Sequence, residues 1–233
     1  MEKNKQTEEI AKIINHKGNL KLDIYENTIE VMKLLKVQAQ QIITELQKIN
    51  IKSKHSIPLE FRDKNEFEFE IKFAGDILIF MMHTNIFEFS RYHDIMKTPY
   101  IKKDKDRSYC GIINIYNFLS DSFKYNRIND SGYMIGRVFI NKENHYYIEG
   151  KREIAMVYND FAKSIIGDGG LRQILLSSIL YTVNFDLLTP PYETVKEVSV
   201  YEMQEAIENM KIRTAKRLGF QFQADETTKS KKK

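Results

Sequence analysis

The sequence predicts an α+β fold: a mostly antiparallel sheet of about five strands, near the usual sheet size, flanked by an N-terminal helical pair and by C-terminal helices. Three observations predict it. Tyr25, Thr28, Met32, Leu35, Ala39, Ile42, Leu46 and Ile49 step by three and four residues, which keeps one stripe of an α-helix facing a partner. From residue 66 the period changes to two, with Phe67, Phe69, Ile71 and Phe73 alternating with Glu66, Glu68, Glu70 and Lys72. The strand patterns are grouped between two helical sections, which favours α+β over alternating α/β.

In chain order, Ile10, Ile13 and Ile14 give a short amphipathic helix that Gly18-Asn19 should break before a long helix over about 24–50. That stripe is longer than a ten-residue helix can cover, so either a second protein copy or the chain's own sheet must complete it. Phe67–Phe73 is a half-buried strand, Gly75-Asp76 a turn, and Ile77–Phe89 a strand too apolar to leave either face wet. Gly111–Phe118 forms a third strand. Tyr133–Ile140 and His145–Glu149 form a hairpin closed by Asn141-Lys142-Glu143-Asn144. Helical periodicity returns at Ile154, Val157, Tyr158, Phe161 and Ile165, and Gly167–Gly170 separates it from Leu171–Val183, apolar nearly all round and therefore a core helix. Ser199-x-x-Glu202 is a capping box opening a last helix that Gly219 closes.

Residues 1–224 thus read as a single domain and 225–233 as a disordered basic tail. The chain has 233 residues, 42% hydrophobic and 29% charged, the composition of an ordinary globular protein. Its net charge of +4 comes from the end: without the four lysines of Lys229–Lys233 the 36 basic residues fall to 32, equal to the 32 acidic ones. A neutral body gives only weak support to a nucleic-acid partner. The lone Cys110 makes no internal disulfide, the first 25 residues lack the apolar run of a signal peptide, and Ile77–Met82 is too short to span a bilayer. A soluble, cytoplasmic protein with no membrane partner is expected.

No phosphate loop, dinucleotide fingerprint, paired-histidine metal helix or zinc-type Cys cluster is present, and neither a metal nor a cofactor is expected. Gly167–Gly170 before a helix offers N–H groups to an anion, but a connecting loop explains it more simply. Of the five histidines, His83 and His93 flank a turn region in a way that lets them meet in space.

One constellation has catalytic chemistry. Asp130, the following hairpin and Tyr147-Ile148-Glu149-Gly150-Lys151 resemble the core of PD-(D/E)xK nucleases, and Gln173 resembles the helix glutamine of part of that family. The resemblance covers about forty residues. It implies a Mg²⁺-dependent nuclease in which Asp130 and Glu149 hold the metal while Lys151 assists the attacking water; hard carboxylate oxygens suit that ion. If the turn pairs Ile140 with His145, Glu149 lies opposite Gly136, and the two acids stand about 20 Å apart along the strand. Sharing a metal then requires a looser hairpin or a different acid such as Asp121.

A second cluster, Asp121, Lys124, Tyr125, Asn126 and Arg127, is too polar for core and carries the Tyr and Arg favoured at contact surfaces; a capped, solvated turn is the alternative. The function expected is that of a cytoplasmic binding or interaction protein, an oligomer or a subunit of a complex. It would assemble through the 25–49 helix by self-association or with a protein partner, and recognise its ligand through Asp121–Arg127. The Mg²⁺ nuclease is the alternative.

Overall fold

Strong helix formers dominate the first fifty residues, and they form one helix. In a computed structural model, which describes residues 2–49, 55, 57–128, 130–155, 160–185, 189, 191–201 and 203–204, α1 runs Glu2–Lys48 without interruption. The expected break at Gly18-Asn19 does not occur. Gly18 is exposed with no atom near its missing side chain, so the cost is only the ~1 kcal/mol of a helical glycine. Burial of the downstream stripe offsets it: Thr28, Met32, Leu35, Ala39 and Ile42 are 0–1% exposed.

Seven strands follow, all antiparallel: β1 Leu59–Asn65, β2 Glu68–Phe73, β3 Asp76–Met82, β4 Phe87–Glu88, β5 Tyr109–Leu119, β6 Tyr133–Asn141 and β7 Tyr146–Gly150. The order across the sheet is β1-β2-β3-β5-β6-β7, with β4 pairing the start of β5. Two strands exceed the expected five. The edge strand β1 has the sequence LEFRDKN, in which charges mask the alternation. β4 is the far end of the expected Ile77–Phe89 strand, which breaks at His83–Ile86.

The inner face of the sheet presents Phe69, Ile71, Leu78, Phe80, Ile113, Ile115, Val138, Ile140, Tyr146 and Ile148 to α1 and to α5, Asp168–Val183. The stripe of α1 is therefore satisfied inside the chain, on the chain's own sheet, and is not available for assembly. α1 lies so close to β5 that a Cβ on Gly111 would sit 2.0 Å from Thr28 Oγ1. Ion pairs fix the helix at both flanks: Lys36 Nζ lies 2.6 Å from Asp63, and Arg172 of α5 lies 2.5 Å from Glu45.

The remaining helices are short: α2 Pro99–Lys103, α3 Ser120–Lys124, α4 Arg152–Ala155 and α6 Tyr192–Val195. The helical face expected over Ile154–Ile165 is not continuous. Phe161–Lys163 is a turn, and Ile165 bridges His145 as an extended residue, with Tyr146 N donating to Ser164 O and Ile166 N to Asn144 O. These bonds to the hairpin outcompete helix formation there. The capping box opens helical structure as expected: Val200, Tyr201, Met203 and Gln204 are helical, and Met203 N donates to Ser199 O at 3.0 Å. Glu202, the rest of the expected last helix and the 225–233 tail lie outside the described residues. No helix of the described residues is long and apolar enough to cross a membrane.

Candidate functional site

The outer face of the sheet is only partly covered. On it Asn114, Arg137 and Glu149 form one row across β5, β6 and β7; Cys110, Ile112 and Phe139 form the apolar ground beside them. The chain from Phe87 to Ser108 folds over part of this face, through β4, a 3₁₀ turn at Asp94–Lys97, α2 and a second 3₁₀ turn at Lys105–Ser108. A cleft of about 370 Å³ opens between this strap and the row, with His83, Phe87, Phe89 and His93 on its rim.

Local structure sets each histidine. Where β3 breaks, His83 N donates to Ile112 O at 2.9 Å, while its ring Nδ1 accepts from Asn85 N at 3.0 Å. His93 caps the Asp94–Lys97 turn, its Nδ1 accepting from Ile95 N at 3.2 Å. Accepting at Nδ1 assigns the proton of each neutral ring to Nε2. His83 and His93, singled out from their spacing, do line one cleft. His83 packs edge-on against Phe87 at 4.8 Å and His93 against Phe89 at 4.9 Å. Phe89 in turn touches Phe139 at 4.7 Å, so the wall is aromatic and continuous with the packing beneath it.

The polar groups of the cleft differ in how far the fold uses them. Arg137 directs Nε and Nη2 at the same oxygen, Oε2, of Glu149, each at 2.5 Å, and its guanidinium lies 5.2 Å from the Phe139 ring centre. Asn114 is 8% exposed, and its carboxamide makes no hydrogen bond to any described residue. Its oxygen and nitrogen still reach solvent through the cleft, where a ligand group can take the place of water. Burial pushes the Cys110 thiol well above its ordinary pKa, which removes it as a nucleophile.

A second polar network lies behind the strap and is structural. Asn141, fully buried, accepts from Glu143 N and His145 N through Oδ1, and donates to the Tyr100 hydroxyl at 2.9 Å. Tyr100 donates to Glu143 at 2.8 Å and Arg107 stacks over its ring at 4.4 Å. Burial is the chief cause that pushes the Tyr100 hydroxyl up to about 12. His16 of α1 reaches Asp106 at 3.1 Å, and Asn27 donates to Lys142 O, tying helix and hairpin together.

Asp130 and Glu149, the two nuclease-like acids, are each paired with an arginine. The loop of the β6–β7 hairpin is one residue tighter at its closing pair than expected: Asn141 N donates to His145 O at 3.0 Å, Asn144 takes a left-handed φ of 58°, and Ile140 pairs with Tyr146. Glu149 therefore faces Arg137 instead of Gly136 and is ion-paired to it. Asp130 accepts from Ser122 Oγ at 2.6 Å and lies 3.3 Å from Arg127 Nε, ahead of the first residue of β6. Lys151 follows the end of β7, its backbone N donating to Ile135 O. Gln173, on α5, donates to Ser177. No group of three or more His, Cys, Asp or Glu among the described residues is arranged to hold a metal ion.

Asp121, Lys124, Tyr125, Asn126 and Arg127 fold as a self-capped turn at the far end of β5. Tyr125 N donates to Asp121 O, Asn126 has a φ of 49°, Lys124 lies over the Tyr125 ring at 5.0 Å, and Arg127 turns inward to Asp130. Asp121 lines a smaller cavity of about 230 Å³ with Gly75, Asp76 and Leu119. Comparison with protein-family models, curated proteins and solved structures finds no match for this chain.

Proposed function

We propose that the protein works by binding, in the cytoplasm, and that the outer-face cleft is its recognition surface. The supporting observation is Asn114, a residue 8% exposed whose carboxamide has no hydrogen-bond partner among the described residues, lining a concave, largely apolar site with a few convergent polar groups. The sequence offered Asp121–Arg127 for this role; that segment folds as a turn in which Arg127 faces Asp130, with Arg127 Nε and Nη2 buried without a hydrogen bond, and the cavity that Asp121 lines is the smaller one. A thermal-shift screen of the full chain against small polar aromatic compounds tests the proposal. At least one compound should raise Tm in the wild type and fail to do so in Asn114→Leu. A wild type that responds to none would overturn it.

We further propose that the protein assembles, through the start of α1 in place of its 25–49 stripe. Residues 5–19 are exposed along their length, with Ile10, Ile13 and Ile14 at 56%, 51% and 63%. The occupant proposed is a second copy in antiparallel orientation. Centred on Ile13, that pairing sets Glu9 opposite the partner's Lys17 twice over, whereas parallel pairing sets like charges together.

A further inference from the structure

We infer that the cleft holds a nucleobase carried by an uncharged ligand, with the Asn114 carboxamide reading its hydrogen-bonding edge. The inference rests on the cleft being a binding site and adds the chemistry of its occupant. A carboxamide presents its acceptor oxygen and one of its two N–H donors side by side in one plane. The ligand group that satisfies donor and acceptor together must offer its own acceptor and donor side by side. A nucleobase edge does so, as in the pairing of Asn with adenine. A trans peptide unit does not, because its N–H and C=O point in opposite directions.

The surroundings suit the same group. Phe87, 39% exposed, lines the cleft with Phe89 and Phe139 and gives it aromatic surface suited to a flat base. Arg137 engages only Oε2 of Glu149, which leaves Arg137 Nη1 and Glu149 Oε1 as a second donor and acceptor in the same cross-strand row as Asn114. His83 and His93 add two Nε2–H donors at the rim.

Charge decides between the sources of a base. With neutral histidines the lining carries Glu88 and Glu149 against Arg137 alone, one net negative charge. A phosphate meets no unpaired cation there and is repelled by two carboxylates. The cleft should therefore take a free base or nucleoside in preference to a nucleotide or a nucleic-acid strand.

Isothermal titration calorimetry on the full chain tests this with adenosine, guanosine, cytidine, uridine, their 5′-monophosphates and a short single-stranded oligonucleotide. At least one nucleoside should bind, about tenfold tighter than its monophosphate or the oligonucleotide, and Asn114→Leu and Asn114→Ala should each weaken it about tenfold or more, the scale of one bidentate contact. Tighter binding of the monophosphate or the oligonucleotide would overturn the uncharged-ligand assignment. Equal nucleoside binding by the Asn114 variants would overturn the edge-reading role. If no nucleoside binds while the aromatic compounds still do so in an Asn114-dependent way, the nucleobase is wrong and the binding site stands. If neither binds, both fail.

Discussion

Asn114, buried, and Tyr100, half-buried, are both polar side chains outside the main core, and they differ in what satisfies them. Tyr100 has Glu143 and Asn141 as partners, so it belongs to the fold. Removing its hydroxyl in Tyr100→Phe should lower stability by about 1 kcal/mol, the net value of a typical hydrogen bond, measured by urea unfolding. Its titration carries a second test. The folded chain holds the Tyr100 proton up to about pH 12, against 10.0 for the ordinary phenol. This stabilisation is therefore intact below pH 10 and is lost as pH rises through 12. A phenolate absorbance titration of the native protein should show a late-ionising component, to which Tyr147, also raised by burial, contributes, and this component should shrink in Tyr100→Phe. Asn114 has no such partner. Replacing it by Leu, of similar size, should leave stability within about 1 kcal/mol while removing ligand binding, since the carboxamide makes no hydrogen bond that the fold would lose.

At the scale of elements, α1 decides the fold, and its sequence shows both how much was legible and where legibility stopped. The stripe from Tyr25 to Leu46 marked a packed helix because a 3.6-residue period survives any choice of partner. It did not name the partner, because a sheet and a second helix demand the same apolar face. Gly18 looked like a terminator, yet one exposed glycine is too weak a penalty to end a helix with strong formers on both sides. Alternation exposed β2 from Phe69 to Phe73, whereas β1 was hidden by its edge charges and the Phe161–Ile166 segment by tertiary bonds to the hairpin. Of the cleft, His83 and His93 were legible by proximity in sequence, and Glu149 was singled out for a different chemistry. Asn114 carried no signal, since an asparagine in a strand reveals its missing partner only in three dimensions. Two variants test the packing. Leu35→Asp buries an unpaired carboxylate at a position 0% exposed and should cost several kcal/mol by denaturation. Gly111→Ala forces α1 off β5 and should cost about 1–3 kcal/mol, as overpacked cores do.

Taken whole, the molecule buries one face of its sheet under two helices and leaves the other face and the start of α1 for contacts outside itself. Ile13→Glu should lower the solution mass in light scattering while leaving Tm within about 1 °C, because that side chain is half exposed; an unchanged mass would remove the arm as an assembly contact. Glu149→Gln tests the nuclease alternative: neither the wild type nor this variant should cleave DNA or RNA at millimolar Mg²⁺, and cleavage lost in the variant would restore that reading. The binding role is tested most directly by amide chemical-shift mapping of the full chain with the strongest ligand from the screen. The shifts should concentrate on His83, Phe87–Ser90, His93, Asn114 and Arg137, the strap and row that enclose the cleft. Shifts centred on Asp121–Arg127, or scattered without focus at saturating ligand, would contradict it.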